Sequence, residues 1–574
     1  MAPIEYLQFD QSRYPVVVGI DFGTTYSGCA FAFQKDETEV EPVSRWPMQQ
    51  SDYPKVPTLS LYQKDKAKPK LAAWGWNAHK MAWSPTVVKE RDHFMLSQFK
   101  LQLDESLDNK PLEGGITALD AIADYLEGFL AYVTPEILKT FGKAFTPQHF
   151  RFCLTVPAMW SDRAKNIMRQ AAIKAKIISE DDHPDRLILV SEHEAAAAYC
   201  ERKCERFKLE HKDRFMVCDA GGGTVDLIVY EVEQTTSGRR LSEVVIGQGA
   251  SCGSVFLDKN AQKLIEEKFG KKAMARIPPN LMPLMIERFV VDIKPLFKGD
   301  EDLTMMLPCS GFFDTLENAE EIGISDGMMT LSAKELKDKV FEPVIKDILK
   351  LIRQQLDDAK ECPTILLVGG FGTSSYLLKR IQEEFEGRVD YVGVPPRPEL
   401  AVVRGAVYVG MNPSVKTRVA RRCYGVGCSM PYLFEQDYEV RRRVAFDPHG
   451  PIVMGCCQWF VKRGQKIDVD ECVTHEFESL KSWHHGEKCP MDDKAFQTTI
   501  YSYDGAGEPP RFTDSPGVRL LAHVRKENPF MLHEKFGSVA ASRVKMNFGE
   551  NELKAVCETR GKEYSARLDF LSEL

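Results

Sequence analysis

The chain has 574 residues, of which 43% are hydrophobic and 28% charged, and its 75 basic and 83 acidic side chains give a net charge of -8. This composition predicts a folded protein, and the negative charge excludes a general electrostatic attraction to nucleic acid. No apolar run approaches the roughly 18 residues that a membrane-spanning helix needs. The N-terminus lacks the basic and apolar regions of a secretory signal, so we expect a cytoplasmic, or alternatively nuclear, protein.

Between about residues 16 and 412, apolar strand-like runs are mixed with amphipathic helical patterns, which is typical of an α/β fold. In chain order we predict strand 16–20, helix 119–138, strand 150–156, helix 161–177, strand 187–190, helix 192–208, strands 215–218 and 227–232, helices 255–269 and 333–356, strand 365–368 and helix 374–385.

The pattern of apolar and polar residues changes after about residue 420. Residues 544–548, 553–558 and 564–570 alternate between apolar and polar side chains with a period of two, which predicts a β-rich region. We place the boundary within the short basic segment NPSVKTRVARR. The predicted domains are therefore residues 15–412, with an α/β fold, and residues 420–574, rich in β-structure.

One long-range repeat organises the first domain. Residues 16–33 read VVVGIDFGTTYSGCAFAF and residues 215–232 read FMVCDAGGGTVDLIVYEV. Each copy has an apolar strand ending near an aspartate, a turn of glycine and threonine, and a second apolar strand. We interpret the pair as two β-hairpins from a duplicated half-domain, and not as the strand-to-helix junction of a dinucleotide-binding fold.

The residue types in these turns predict a phosphate-binding site. Glycine allows backbone N–H groups to approach an anion closely, and threonine adds hydroxyl donors. Asp21 and Asp219, at the strand ends, would repel a bound phosphate unless Mg²⁺ lay between them, commonly through bound water. Because the turns are expected to face solvent, we predict that Thr24→Ala or Gly222→Val weakens binding of the phosphate-containing ligand with little loss of fold. The predicted phosphate-binding residues are Gly23, Thr24, Thr25, Tyr26, Gly221, Gly222, Gly223 and Thr224.

Two further segments bear on the chemistry. ILLVGGFGTSSYLLKRIQEEF (365–385) predicts a strand, a turn at Gly369 and Gly370 that can hold an adenosine or α-phosphate, and a helix. GASCG (249–253) matches the pattern of a serine nucleophile elbow, but no oxyanion-hole motif accompanies it, and we interpret it as a glycine turn. The absence of a GK[ST] sequence after a glycine loop excludes a Walker-type NTPase.

GIDFGTTYSG and DAGGGTVDL resemble the two phosphate loops of the actin, sugar-kinase and heat-shock ATPase superfamily, and LLVGGFGTSSYL resembles its adenosine loop. LTVPAMWSDRAKNIMRQAA (154–172) and LVSEHEAAAAYC (189–200) are similar to segments of its 70-kilodalton heat-shock (DnaK-type) chaperones. The resemblance implies a duplicated, two-lobed actin-like (ribonuclease H-like) body with ATP or ADP and Mg²⁺ in its cleft. It implies catalytic roles for Asp21, Glu192, Asp219 and Thr224, metal contacts from Asp21, Asp219 and Asp226, and adenosine contacts from Lys294, Gly369 and Gly370.

The sequence also departs from the family pattern. His193 follows Glu192 where the family has proline, and position-by-position comparison puts His79, with Lys80 beside it, where a lysine should contact the γ-phosphate. Pro295 takes the position expected for a cation over the adenine. These departures leave open a weak ATPase, a nucleotide-binding switch or scaffold without turnover, and a small-molecule kinase of the same superfamily.

Residues 544–570 resemble the strands that close a chaperone's peptide-binding β-sandwich. The family's helical lid is expected to be absent, because the sequence stops at Leu574, and KTRVARR replaces the family's acidic, leucine-rich linker. The chain is therefore identified as a divergent, lidless member similar to heat-shock protein 12A-type proteins. The resemblance implies that the β-rich domain binds unfolded or extended polypeptide or a partner protein, with co-chaperones as further partners.

Overall fold

A computed structural model gives the structure of the protein. It describes residues 10–570 except for 37–38, 50–52, 66–67, 83, 85–86, 88–91, 204–208, 237, 279–280, 309–312, 314–318, 439–443, 448–449, 481–494, 528–538, 549–551, 560–561 and 567. Several sheets and helices alternate along the chain, which confirms the mixed α/β prediction. Within these residues, no helix combines the length and apolar character that crossing a membrane requires.

The first part of the chain forms two sheets. Strands β1 to β4, β8 and β9 form the larger one, in the order β3-β2-β1-β8-β9 with β4 on β2, and β5 to β7 form the smaller one. The strands are β1 (Val16–Asp21), β2 (Tyr26–Phe33), β3 (Glu41–Pro42), β4 (Val56–Pro57), β5 (Leu59–Gln63), β6 (Lys70–Trp74), β7 (His93–Ser97), β8 (Phe150–Val156) and β9 (Leu187–Ser191). The helices are α1 (Gly75–Ala82), α2 (Ala118–Phe141), α3 (Asp162–Lys174) and α4 (Glu192–Lys203).

The second part is built around a sheet with the order β18-β17-β10-β11-β12-β19-β23, in which β23 is the later segment Lys466–Asp468, and β13 pairs with β11. The strands are β10 (Arg214–Ala220), β11 (Val225–Thr235), β12 (Gly238–Glu243), β13 (Gln248–Ala250), β14 (Leu303–Met306), β15 (Ile324–Ser325), β16 (Met328–Leu331), β17 (Thr364–Val368), β18 (Tyr391–Gly393) and β19 (Val415–Val419). The helices are α5 (Val255–Met274), α6 (Leu281–Arg288), α7 (Ala333–Glu335), α8 (Glu342–Ala359), α9 (Ser375–Glu384) and α10 (Ala401–Met411). A π-helical turn, Leu336–Phe341, joins α7 to α8.

The strand arrangement repeats between the two large sheets. In the first, β1 is antiparallel to β2 and parallel to β8, which is parallel to β9. In the second, β10 is antiparallel to β11 and parallel to β17, which is parallel to β18. The repeat seen in the sequence is therefore also a repeat of strand order. Both central strands, β1 and β10, are almost wholly buried, as continuous apolar runs in parallel sheets require.

Most of the strands after residue 422 form two antiparallel sheets, in the orders β21-β22-β20-β25-β26-β30 and β24-β27-β28-β29. Val426, Phe460 and Ile500 of one sheet share a buried cluster with Val544 and Met546 of the other. The elements are β20 (Cys423–Pro431), α11 (Phe434–Asp437), β21 (Val444–Asp447), β22 (Gly450–Val461), β23 (Lys466–Asp468), β24 (Cys472–Leu480), β25 (Ala495–Tyr503), β26 (Val518–Glu527), β27 (Val539–Asn547), β28 (Lys554–Thr559), β29 (Lys562–Ala566) and β30 (Leu568–Phe570).

The basic segment placed at the boundary is not a free connector. Residues 415–419 form β19, which pairs with β12 on one side and with β23 on the other. Arg418 is half-buried, and its guanidinium lies 2.8 Å from Glu194 and 3.8 Å from Glu243. Its positive charge is therefore used for an internal ion network.

Helices α4 and α10, which share a buried cluster with strands of both large sheets, approach each other at very short range. A Cβ atom built on Gly405 of α10 would overlap the backbone carbonyl of Ala195 on α4. Gly19 on β1 similarly lies against the backbone of Val403, where a Cβ would be 2.7 Å from the carbonyl oxygen. Glycine is needed at both positions because no side chain fits between the two backbones.

The predicted elements of the first domain are confirmed with shifts at their ends. The helix expected over 192–208 ends at Lys203 in the structure, and 204–208 lie outside the described residues. The helix expected over 333–356 is interrupted by the π-helical turn before α8.

Candidate functional site

The two aspartates of the repeat occupy corresponding places in their hairpins. Asp21 ends β1 and pairs with Gly28 on β2, whereas Asp219, one residue before the end of β10, pairs with Asp226 on β11. Asp21 and Asp219 are only 5% and 6% exposed. The second hairpin therefore carries one more carboxylate than the first.

The turns of the two hairpins face each other. A Cβ built on Gly222 would overlap the hydroxyl of Thr25, and one built on Gly223 would overlap the hydroxyl of Thr24. Thr24 is consequently 6% exposed. The expectation that the turn faces solvent is wrong for Thr24, which the opposite hairpin covers, whereas Thr25 and Gly222 are half-buried.

The second turn is supported from behind by the start of α5. The N–H groups of Ser254 and Val255 donate to the carbonyls of Gly221 and Gly222, at 3.1 and 2.8 Å. The Gly221 N–H donates to the Thr224 carbonyl within the turn. The GASCG segment therefore packs against the turn. The hydroxyl of its Ser251 donates to Asp104, which agrees with its interpretation as a structural glycine turn.

The turn of the third predicted segment, at Gly369 and Gly370, lies beside the second hairpin. Gly369 has a φ of 81°, a left-handed conformation that favours glycine, and a Cβ there would lie 2.6 Å from Asp219 Oδ1. A Cβ on Gly370 would lie 3.5 Å from the hydroxyl of Tyr53. The structure thus brings the Gly369–Gly370 turn beside the second aspartate.

Four carboxylates, Asp21, Glu192, Asp219 and Asp226, lie close enough to influence one another. Burial, then Glu192 and Asp226, raises the pKa of Asp219 well above its ordinary value. Burial and Glu192 raise the pKa of Asp226 to about 7, against the opposing effect of Arg421 and Lys100. Raised pKa values in a group of like charges indicate a place where a cation is favoured.

Two buried lysines lie among these acids, and the sequence analysis singled out neither. Lys55 Nζ is 2.6 Å from Asp21 Oδ2, and Lys100 Nζ is 2.5 Å from Glu192 Oε1. Lys100 is 3% exposed and also lies over the ring of Trp160, 5.4 Å from its centroid. The only signal in the sequence concerned Lys100, which lies inside the largely apolar run HFMLSQFKLQL and was therefore a candidate for burial.

The carboxylates of this cluster are of the ligand type that Mg²⁺ prefers. Asp226 Oδ2 is buried and has no hydrogen-bond partner in the described structure. The described residues contain no group of three His, Cys, Asp or Glu side chains arranged to hold a metal. Mg²⁺ does not require such a group, because in proteins it keeps several waters and uses one or two carboxylates. The residues present therefore fit a cation bound largely through water.

Other predicted residues form a second group. His79 on α1 contacts Glu287 on α6, with 3.1 Å between Nε2 and Oε1, and Lys294 Nζ is 2.8 Å from Asp258 Oδ1 on α5. The ring of Tyr26 lies 5.0 Å from that of Tyr53. Burial, then Tyr53 and Glu287, raises the pKa of Tyr26 to about 12. The cations that contact the acid cluster are thus Lys55 and Lys100, while His79 and Lys294 pair with carboxylates elsewhere.

Comparison with known proteins places this geometry in context. No protein-family model matches the chain. Human heat shock 70 kDa protein 12B is 25% identical over 98% of this chain and 92% of its own length. Heat shock 70 kDa protein 12A is 24% identical over the same shares in both mouse and human. The chain is therefore, over nearly its whole length, a divergent relative of the heat shock 70 kDa proteins 12A and 12B, which confirms the resemblance inferred from its phosphate-loop motifs.

Proposed function

We propose that residues 15–412 form a two-lobed, actin-like nucleotide-binding domain and residues 420–574 a β-rich domain. The repeated strand order supports two lobes, each of which contributes one hairpin. β19, which pairs with β12, would extend the second lobe slightly beyond residue 412. The buried cluster shared by the last two sheets supports a β-sandwich for the second domain.

The proposed ligand is ATP or ADP with Mg²⁺, held between the hairpins. The observation that carries this proposal is that two glycine and threonine turns from distant segments face each other beside Asp21 and Asp219. Backbone N–H groups and the threonine hydroxyls would donate to phosphate oxygens, and the Gly369–Gly370 turn with Lys294 would hold the adenosine. Asp21, Asp219 and Asp226 would hold Mg²⁺, which when bound supplies positive charge between phosphates and carboxylates.

The turn residues give a direct test of binding. We expect Thr24→Ala and Gly222→Val each to weaken ATP binding about tenfold or more, because one removes a donor to a charged oxygen and the other forces the turns apart. Isothermal titration calorimetry measures the effect, with Thr304→Ala as a matched change on an exposed strand. Affinities equal to wild type in both turn variants would contradict the proposed site.

We also propose slow hydrolysis of ATP, with Glu192 as the carboxylate that orients water. In this role Glu192 accepts a hydrogen bond from the attacking water, while backbone N–H groups stabilise the negative charge that spreads over the γ-phosphate. Lys100 holds Glu192 at the site and adds a positive charge that the sequence analysis did not anticipate.

Glu192→Gln tests this role. We expect retained ATP binding and turnover at least about tenfold slower, because the amide is a far weaker acceptor for the proton of water. Single-turnover hydrolysis with Mg²⁺, alongside calorimetric binding, separates the two effects. An unchanged rate would remove Glu192 from the mechanism.

A switch that binds nucleotide without turnover is the second candidate. Its support is the same ion pair: Glu192 is buried and Lys100 already neutralises its charge, which makes the carboxylate a weaker acceptor for the proton of an attacking water. Bound ATP that stays unconverted for hours in the single-turnover experiment would favour the switch.

For the β-rich domain we propose binding of extended polypeptide or a partner protein. The basis for this assignment is that the relatives, whose alignments cover 98% of this chain, are named heat shock 70 kDa proteins. β21 lies at the edge of its sheet, where the described residues supply a neighbour on one side only, and 80% of its Phe446 is exposed, so an added strand could pair there. Fluorescence anisotropy with labelled extended peptides, with and without nucleotide, tests both the binding and its coupling to the first domain.

A further inference from the structure

The two hairpins differ at one corresponding position. Across from Asp219 stands Asp226, whereas across from Asp21 stands Gly28. The space that a side chain would fill at Gly28 holds the stem of Lys55: a Cβ there would lie 3.1 Å from its Cγ and 3.3 Å from its Cε. Where the second hairpin has an extra carboxylate, the first therefore has an ammonium group.

The backbone beside Lys55 is attached to the first phosphate-loop turn. Lys55 immediately precedes β4, which pairs with the start of β2. Thr58 N–H donates to the Thr25 carbonyl at 2.8 Å, and the Thr58 hydroxyl donates to the Gly23 carbonyl at 2.8 Å. These bonds fix the origin of the lysine side chain relative to the turn that faces the second hairpin.

The ammonium of Lys55 belongs to the acid cluster as a whole. It is 7% exposed and 2.6 Å from Asp21, and its charge also lowers the pKa of Asp219 and Glu192 against the effects that raise them. An ammonium has three donors, of which Asp21 Oδ2 uses one. Donors remain for an anion placed between the hairpins, at the position where a divalent cation would otherwise have to neutralise it.

We propose that Lys55 is a built-in counter-cation for the phosphate tail of the nucleotide. By pairing with Asp21 and donating to phosphate oxygens, it lets the first hairpin hold the phosphates without a divalent ion, so that binding depends only weakly on Mg²⁺. This inference rests on the proposed nucleotide function. A lysine that merely balanced Asp21 in the folded chain would leave the Mg²⁺ dependence of binding unchanged.

The test is calorimetric titration of the full chain with ADP and with ATP, each in Mg²⁺ and in EDTA. For wild type we expect the affinity to fall by less than about tenfold without Mg²⁺, and for Lys55→Met by about a further tenfold or more, the loss of one charge-assisted hydrogen bond. Lys55→Arg should largely restore wild-type behaviour. Lys263→Met, on the exposed face of α5, is the matched control.

Lys55→Met leaves Asp21 buried without its partner, and this variant could fail to fold. Asp21→Asn and the double variant Asp21→Asn/Lys55→Met both lack the Asp21 carboxylate, and in Asp21→Asn the ammonium of Lys55 keeps Glu192 and Asp219 as opposite charges. We expect the double variant to bind about tenfold more weakly than Asp21→Asn in EDTA. Equal affinities of these two variants in EDTA would overturn the role of Lys55, whereas absence of binding by wild type in both buffers would overturn the proposed nucleotide site itself.

Discussion

Gly405→Ala is expected to lower the free energy of unfolding by about 3 kcal/mol or more, because an added Cβ meets a closer neighbour here than at any other glycine in the described part of the chain. The added Cβ would overlap the carbonyl of Ala195, and that atom belongs to the backbone of α4, so no rotation of a side chain can make room. The small gain that alanine brings to an isolated helix, about 1 kcal/mol, does not offset this overlap.

Gly410→Ala on the same helix is the matched control. A Cβ at Gly410 would meet the thiol of Cys153 and a methyl group of Val17, which are side-chain atoms that can shift. We therefore expect a smaller loss, and partial recovery when Cys153→Ala is added. The measurement is denaturant unfolding followed by circular dichroism. A Gly405→Ala protein as stable as wild type would show that α4 and α10 do not approach as described.

The two hairpins could be predicted from the sequence because two segments with the same pattern are expected to have the same local structure. Asp21 and Asp219 are each ordinary strand-end residues, but their common setting indicated corresponding roles before any contact was visible. The strand order of the two sheets repeats in the same way. The extra acid of the second hairpin, Asp226, was identified only through the family resemblance.

Lys55 and Lys100 could not be predicted in the same way. Neither belongs to the repeat, and burial of a lysine is decided by the carboxylate that it meets, Asp21 in one case and Glu192, far along the chain, in the other. Comparison with the family pattern put the expected lysine near His79. In the structure His79 binds Glu287, and cations reach the acid cluster from two other segments.

The basic segment after residue 412 was predicted to be a connector, but part of it is a strand in the structure. Its basic sequence and its place at the predicted boundary suggested a short connector between the two predicted domains. The partners of Arg418 are Glu194, on α4, and Glu243, at the end of β12. No local pattern connects these three residues, so only the folded chain reveals that the segment is a strand.

Lys100→Met is expected to lower the free energy of unfolding by about 3 to 5 kcal/mol, the usual cost of leaving one member of a buried ion pair alone. The cost should be high here because Glu192 would remain beside Asp21, Asp219 and Asp226 without its neutralising partner. Burial already raises the pKa of Glu192, and the loss of Lys100 would raise it further.

A double-mutant cycle separates this electrostatic cost from lost packing. Adding Glu192→Gln to Lys100→Met removes the unpaired carboxylate, so the double variant should recover most of the lost stability, while Glu192→Gln alone should cost less than Lys100→Met because three acids remain for the ammonium. Denaturant unfolding in EDTA measures all four proteins without a metal ion to compensate. A double variant no more stable than Lys100→Met would mean that Lys100 acts through its contacts with Phe22 and Trp160, and that its charge does not hold the site together.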